Sequence, residues 1–178
     1  MQAGLGEDAV DAGRVAPVPS FSLMRAHPHQ WLALVGGIGL MRVWPGTWGT
    51  AVGVPLFFLL QDLPPLARGL AYAVLIAAGA WAAARTGDDL GLHDHNAIVV
   101  DETVGMALTL ELFGWAMGAP GWGAVLVGFV LFRLFDSTKP FPIRLIDRRM
   151  NGGFGVILDD LWAAAYAAIA LILAMRVF

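Results

Sequence analysis

The amino-acid sequence predicts an all-α protein, a polytopic transmembrane helix bundle with about five membrane segments and an N-terminal interfacial or re-entrant segment. Of its 178 residues, 58% are hydrophobic and only 14% are charged, and the mean hydropathy is +0.68. Soluble domains average about 25% charged residues. Apolar runs of helical length also recur along the chain between short polar or Pro/Gly breaks. A bilayer solvates such a chain better than water does.

The expected membrane segments follow one another to the end of the chain. They are a short span at 50–60 and spans at 66–84, 97–118, 122–135 and 156–178. Residues 31–41 are apolar but too few to cross a bilayer, so this glycine-broken stretch is expected at the interface or dipping into it. Residues 1–25 are rich in Gly, Ala, Asp and Pro, which predicts a flexible cytoplasmic tail before a membrane-embedded domain at 26–178.

Composition also excludes several classes of function. The chain contains no cysteine, which excludes disulfides, thiolate metal sites and cysteine nucleophiles. Its net charge is only −3, with no basic excess of the kind that nucleic-acid binding needs. The membrane is therefore the expected partner and nucleic acid is not, and the sequence leaves a homo-oligomer open.

The distribution of basic residues predicts the orientation of the bundle. The loop at 136–155 contains Lys139, Arg144, Arg148 and Arg149, whereas the turn at 119–121 contains none. Positive residues favour the cytoplasmic side, so this loop and the N-terminus are expected there and the C-terminus outside. The polar motifs at 44–50, 93–102 and 136–160 then all lie at the cytoplasmic face.

Two acidic pairs, Asp101–Glu102 and Asp159–Asp160, lie near the starts of expected spans. Charged groups in lipid are costly and usually functional. Converging carboxylates without thiols suit Mg²⁺ or another hard cation, although acids at helix starts can also simply complement the helix dipole. Asp94 precedes Asp101 by seven residues and shares its helix face if the helix extends back, so all five carboxylates are candidate metal ligands.

A second motif carries charges at every third residue. Arg133, Asp136 and Lys139 share one helix face until Pro140 ends the helix. Asp136 could bind a metal or attack a substrate, and Arg133 and Lys139 could hold phosphoryl oxygens, with Arg144 a further candidate. The spacing is equally compatible with a surface ion-pair ladder.

Two loops provide further candidate substrate contacts. Pro45–Gly46 predicts a turn, with Thr47 capping the helix that follows. The glycine-rich stretch 151–155 would let the backbone approach a ligand just before a helix starts, although most such loops only turn the chain. Thr47, Gly152 and Gly153 are therefore candidate substrate-binding residues.

The motifs PGTWGT (45–50), HDHNAIVVDETVGM (93–106) and RLFDSTKPFPIRLIDRRMNGGFGVILDD (133–160) resemble the phosphatidylglycerophosphatase A family. The resemblance runs from about residue 31 to about residue 165. It implies a multi-pass, Mg²⁺-dependent enzyme of the bacterial inner membrane, with its active site facing the cytoplasm. The implied reaction removes the terminal phosphate of phosphatidylglycerophosphate to give phosphatidylglycerol. The matching positions are Asp94, Asp101, Glu102, Asp136, Lys139, Asp147, Asp159 and Asp160.

These observations predict that Asp101, Glu102, Asp136 and Lys139 are catalytic. Metal-activated water would attack phosphorus in line with the leaving oxygen, with an aspartyl phosphate on Asp136 as the rival route. The sequence does not choose between them. A proton- or ion-coupled transporter using Asp101, Glu102 and Glu111 is the alternative function, and a non-catalytic lipid-binding scaffold is a third. A transporter predicts acids spread through the bilayer depth, whereas all but Glu111 cluster at one face.

Overall fold

The computed structural model describes residues 17–92, 95–141, 143–144 and 153–177. The regular secondary structure in these ranges is all helical, with no strand, which confirms the all-α prediction. Predictions made for Asp94, Asp147, Gly152 and the first sixteen residues of the tail lie outside the described residues.

The helices are numbered here in chain order. They are α1 (Phe21–Ala26), α2 (His29–Ala33), a 3₁₀ segment (Val35–Leu40), α3 (Pro45–Leu60), α4 (Pro65–Leu90), α5 (Val100–Met117), α6 (Trp122–Thr138) and α7 (Gly153–Val177). Pro45 and Pro65 are the first residues of α3 and α4, where proline's missing N–H costs no hydrogen bond. Helix α6 stops before Pro140 as predicted, and Lys139 caps it with a left-handed φ of 41°.

Two helices are long and apolar enough to cross a bilayer. They are α4, with 26 residues, and the 23-residue stretch 155–177 of α7. Helix α3 is a shorter apolar helix. Length and composition thus identify two candidate spans among the described residues rather than the five that the sequence predicted.

Helix α5 lies at the centre of the bundle between α3 and α7. Eleven of its 18 residues are buried. A Cβ on Gly53 of α3 would meet the backbone oxygen of Thr103, so only glycine permits the two helices to approach so closely. The Thr103 hydroxyl donates a hydrogen bond to the Gly49 carbonyl at 2.8 Å. This packing brings the first turn of α3 against the first turn of α5.

The structure corrects two local predictions. Pro45 and Gly46 begin α3 instead of forming a turn, and Trp44 occupies the N-cap with a left-handed φ of 50°. Thr47 therefore does not cap the helix, and its N–H donates to the Trp44 carbonyl at 3.0 Å. Helix α5 does not extend back towards Asp94, because residues 95–99 are not helical.

A short helix lies before α2 within the described residues. Helix α1 forms within the stretch assigned to the tail, where the Ser20 hydroxyl accepts a hydrogen bond from the Leu23 N–H. Met24 is fully buried and packs with Ala33 and Leu34. The apolar stretch 31–41 is broken as expected, at Gly36 and Gly37, which adopt positive φ.

Glu111, which the sequence left unassigned, lies deep in the bundle against α4. Its Oε1 is 2.9 Å from Nε of Arg68, and its side chain is only 3% exposed. Arg68 also donates to the Gln61 carbonyl at 2.7 Å. Glu111 thus belongs to a structural ion pair that joins α5 to the start of α4.

Candidate active site

A polar cavity of about 440 Å³ opens where the first turns of α3 and α5 meet the end of α6 and the early part of α7. All three motifs identified in the sequence contribute residues to its wall, so the fold brings them together. The lining residues include Trp44, Gly46, Asn96, Asp101, Glu102, Arg133, Asp136, Lys139, Asp159 and Asp160.

Three carboxylates form the acidic centre of this cavity. Asp101, Glu102 and Asp160 each bring one oxygen within 4.8 Å of the other two. Asp101 and Asp160 are buried, and the Oε2 of Glu102 is buried with no hydrogen-bond partner among the described residues. Ionised carboxylates held this close repel one another strongly in a buried site. An oxygen-only donor set with an unsatisfied carboxylate oxygen fits a hard divalent cation such as Mg²⁺.

Two backbone contacts hold these acids in place. The N–H of Glu102 donates to Asp101 Oδ1 at 3.0 Å, and the N–H of Asp160 donates to Asp159 Oδ1 at 3.1 Å. Each pair therefore has one aspartate anchored to its own helix. Because successive side chains on a helix point about 100° apart, Asp159 and Asp160 face different neighbours.

Asp159 forms an ion pair with Lys139 and is not one of the three clustered carboxylates. Lys139 Nζ lies 2.6 Å from Asp159 Oδ2, and the carboxylate is only 8% exposed. The left-handed conformation of Lys139 carries its side chain off the end of α6 and across to α7. Lys139 thus leaves the shared helix face that the sequence spacing predicted.

Arg133 links the acidic centre to Asp136. Its Nη1 lies 2.6 Å from Asp136 Oδ2 and 3.6 Å from Glu102 Oε1. The ion pair between Arg133 and Asp136 that the spacing permits is therefore present, and it lines the cavity and is only partly exposed. Such a position favours a site role over a surface ion-pair ladder.

Gly46 explains why the PGTWGT motif begins as it does. It is buried in the first turn of α3, directly opposite Glu102. A Cβ at this position would overlap Glu102 Oε1 and come within 3.3 Å of Arg133 Nη1. Glycine here leaves the space in which the Glu102 carboxylate lies.

Other predicted residues lie elsewhere. Thr47 lines a separate apolar groove of about 560 Å³, which shares Trp44 with the acidic cavity. Arg144 is exposed and its Nη2 donates to the Thr138 carbonyl at 3.4 Å, away from the cavity lining. Gly153 is the first residue of α7 instead of part of a turn. Asp94 and Gly152 lie outside the described residues.

Sequence reasoning missed some contributors to the cavity. Asn96 and Ile98 line it from the stretch just before α5, and Trp44 lines it while 76% exposed. Asn96 lies inside a motif that was quoted for its acids, and its amide drew no attention because it carries no charge. Proximity to the PGTWGT motif was the available signal for Trp44.

The charge balance of the cavity determines what it can bind. Its lining contains five carboxylates and two cations, a formal charge of −3 when all are ionised. A phosphate dianion alone would be repelled, whereas a divalent cation would be attracted. The arrangement suits joint binding of a hard cation by the carboxylates and of a phosphoryl group beside Arg133 and Lys139.

Comparisons with known proteins agree with this chemistry. The family model described as phosphatidylglycerophosphatase A matches residues 31–175. A phosphatidylglycerophosphatase A from Escherichia coli (strain K12) is 38% identical over 146 residues, which cover 82% of this chain and 83% of the relative. The corresponding protein of Haemophilus influenzae is 38% identical over 156 residues, covering 87% of this chain and 92% of the relative.

A third relative is more divergent. A protein from Bacteroides thetaiotaomicron with the provisional name phosphatidylinositol-3-phosphatase is 33% identical over 147 residues, covering 78% of this chain and 87% of the relative. No solved structure matches the chain.

Proposed function

Because the chain belongs to the phosphatidylglycerophosphatase A family, we propose that it hydrolyses the terminal phosphate monoester of phosphatidylglycerophosphate to phosphatidylglycerol, using Mg²⁺ at the cytoplasmic face of the membrane. Family membership makes the chain a phosphatase. The proposed substrate and metal rest on the acidic cavity, in which three clustered carboxylates lie beside two basic side chains.

The metal would be held by the acidic centre. Asp101, Glu102 and Asp160 would coordinate Mg²⁺, with Asp136 and Asp159 adjacent to them. A bound Mg²⁺ would supply positive charge that polarises the phosphoryl group. It would also compensate the formal charge of −3 that otherwise repels the substrate.

Arg133 and Lys139 would bind the phosphoryl oxygens. The guanidinium has five N–H donors in a planar fork and the ammonium has three, so each can contact phosphate while keeping a carboxylate neighbour. Asp136 and Asp159 orient these two cations at 2.6 Å each. The cations would stabilise the negative charge that develops on the oxygens in the transition state.

The role of Asp136 separates two mechanisms. Its 2.6 Å contact with Arg133 supports a positioning role, with hydrolysis by direct attack of water on phosphorus. In the rival route the Asp136 carboxylate attacks phosphorus, the glycerol oxygen leaves, and water then cleaves the aspartyl phosphate. Acid quenching of a single turnover with ³²P-labelled substrate distinguishes them, because only the rival route leaves a labelled acyl phosphate on Asp136, which hydroxylamine would cleave.

Two exposed apolar faces support a membrane location. On α4, Leu66, Leu70 and Val74 are 77%, 59% and 65% exposed and lie on one helix face. On α7, Ile169 and Leu173 are 57% and 59% exposed with the same spacing. Large exposed apolar stripes on long helices suit contact with lipid. We propose that α3 to α7 are the five membrane segments, with the basic loop at 136–155 and the cavity on the cytoplasmic side.

The site itself argues against the transporter alternative. Asp101 and Glu102 contribute to one end of the bundle, and Glu111 is paired with Arg68. The described acids therefore form no continuous path through the bundle. A clustered acidic site beside phosphate-binding cations favours hydrolysis.

Phosphate release by the purified protein tests the proposal. The protein, in mixed detergent–lipid micelles with Mg²⁺, is given phosphatidylglycerophosphate, phosphatidic acid, phosphatidylinositol 3-phosphate or glycerol 3-phosphate. The first should be the preferred substrate, and EDTA should stop the reaction. No phosphate release from phosphatidylglycerophosphate would contradict the proposed substrate, and equal rates with EDTA would contradict the metal.

A further inference from the structure

A second cluster of potential metal ligands lies outside the acidic cavity, where the N-terminal helices meet the end of α4. We propose that His27, His29 and Asp89 form a binding site for a borderline divalent cation such as Zn²⁺, which fastens α1 and α2 to α4. His27 directly follows α1, His29 begins α2, and Asp89 lies in the last turn of α4. This site does not depend on the phosphatase activity.

The geometry of the cluster resembles a set of metal ligands. One potential ligand atom from each of the three residues lies within 4.8 Å of the other two. Asp89 Oδ2 is 2.7 Å from His29 Nε2 and 3.2 Å from His27 Nδ1. Two imidazole nitrogens, one from the C-cap of α1 and one from the first residue of α2, thus converge on a single carboxylate oxygen.

Gln30 provides an independent observation at the same point. Its side chain is fully buried, and its Nε2 donates to Asp89 Oδ2 at 2.9 Å. Its Oε1 is buried and has no hydrogen-bond partner among the described residues. A half-turn of the amide would bring Oε1 beside Asp89, where a cation could be its partner, and would move Nε2 to the position that Oε1 now occupies.

The ligand atoms of this cluster favour a different ion from the one that the acidic cavity favours. Imidazole nitrogens with one carboxylate suit Zn²⁺, Co²⁺ or Ni²⁺, whereas Mg²⁺ prefers oxygen ligands. His27 and Asp89 have side chains 39% and 22% exposed, so an ion can enter from solution. The ring of Trp81 packs edge-on against His29, with centroids 6.0 Å apart, and orients that imidazole.

A metal ion bound at this cluster would stabilise one wall of the active site without contacting that site. The carbonyl of Ala33, the last residue of α2, accepts a hydrogen bond from Val99 N–H at 2.9 Å. Val99 is the N-cap of α5, whose first turn carries Asp101 and Glu102. A metal that holds α2 against α4 would therefore stabilise the segment on which the start of α5 rests.

Zinc binding to the tag-free, metal-stripped protein in a large excess of Mg²⁺ tests the proposal, because Mg²⁺ competes for the oxygen-only acidic cavity and poorly for imidazole ligands. Calorimetry should detect about one zinc ion per chain. His29→Ala and Asp89→Asn should weaken zinc binding at least about tenfold. Loss of a residue that only hydrogen-bonds to a metal ligand already costs about tenfold in metal affinity, and loss of a ligand should cost at least as much. Asp88→Asn is the matched control, because Asp88 is the exposed neighbour of Asp89 and should bind zinc like the wild type.

Further measurements make the result independent of variant folding. Zn²⁺ should raise the melting temperature of the wild type and of Asp88→Asn but not that of Asp89→Asn. His27→Ala, at the exposed edge, provides a milder variant, and Co²⁺ absorption of the wild type should report nitrogen ligands without any substitution. Absence of zinc uptake by the wild type would overturn the proposal. It would mean that His27, His29 and Asp89 are joined by hydrogen bonds alone. Equal zinc uptake by Asp89→Asn and His29→Ala, each with the circular dichroism spectrum of the folded wild type, would overturn it as well.

Discussion

Substitution of Gly46 by alanine tests whether activity requires the Glu102 carboxylate at its position in the structure. The new Cβ would overlap Glu102 Oε1, which is the far end of a flexible side chain. We therefore expect the carboxylate to swing away while the helices keep their positions. Gly46→Ala should impair the active site and leave the fold intact.

The magnitude follows from the displacement. Restoring van der Waals distance requires the carboxylate oxygen to retreat by about 1 Å, and a misplacement of that size at a reacting centre can cost about 100-fold in rate. The apparent affinity for Mg²⁺ should also fall, because Glu102 is one of the three clustered carboxylates. Stability should change by no more than about 1 kcal/mol, the difference between glycine and alanine in a helix.

The assay measures kcat/KM for lipid phosphate release across a Mg²⁺ titration, together with the melting temperature. Gly69→Ala is the matched control, because no heavy atom lies within 4 Å of a Cβ added there in α4. This control should keep normal activity. Normal activity of Gly46→Ala at limiting Mg²⁺ would refute the role of Glu102, and a large fall in its melting temperature would mean that packing, not site geometry, is affected.

Other predictions concern the metal, the cations and the topology. Removal of divalent cations with EDTA should abolish activity, and Mn²⁺ should restore part of it because it accepts similar oxygen ligands. Asp160→Asn should raise the Mg²⁺ concentration at half-maximal activity by about tenfold or more. Lys139→Ala should lower turnover by about 100-fold through loss of an electrostatic donor, and Lys139→Arg should rescue it in part if charge matters more than donor geometry. A reporter in the loop 136–155 should lie in the cytoplasm and one after Phe178 outside.

Each of these tests has its own control. Asp62→Asn removes an exposed carboxylate far along the chain from the cavity lining and should match the wild type in Mg²⁺ dependence. Lys139→Ala also removes a 2.6 Å contact to buried Asp159, so its melting temperature must accompany its rate. Near-normal turnover of that variant, full activity after chelation, or both reporters on the same side would each contradict the corresponding prediction.

Some features of the site were readable because they depend on local sequence. Acids near helix starts, a cation motif ended by Pro140 and the absence of cysteine were sufficient to predict a carboxylate site for a hard cation beside phosphate-binding cations. The helix boundaries were less accurate. Proline fits the first position of a helix as well as it fits a turn, so Pro45 was assigned to the wrong structure.

The sequence did not show which acid would have which partner. Asp159 and Asp160 are adjacent and chemically identical, but they point about 100° apart on α7. Asp160 joins Asp101 and Glu102, whereas Asp159 pairs with Lys139. Only the rotation of α7 against its neighbours decides which aspartate faces the acidic centre.

The sequence by itself determined the helical class, the family and the types of chemical group at the site, because composition, periodicity and motifs are properties of short stretches of chain. Tertiary packing decided which groups meet. His29 and Asp89 are 60 residues apart, and Glu111 finds Arg68 on another helix. Such contacts depend on how whole helices approach and rotate, which no local pattern specifies.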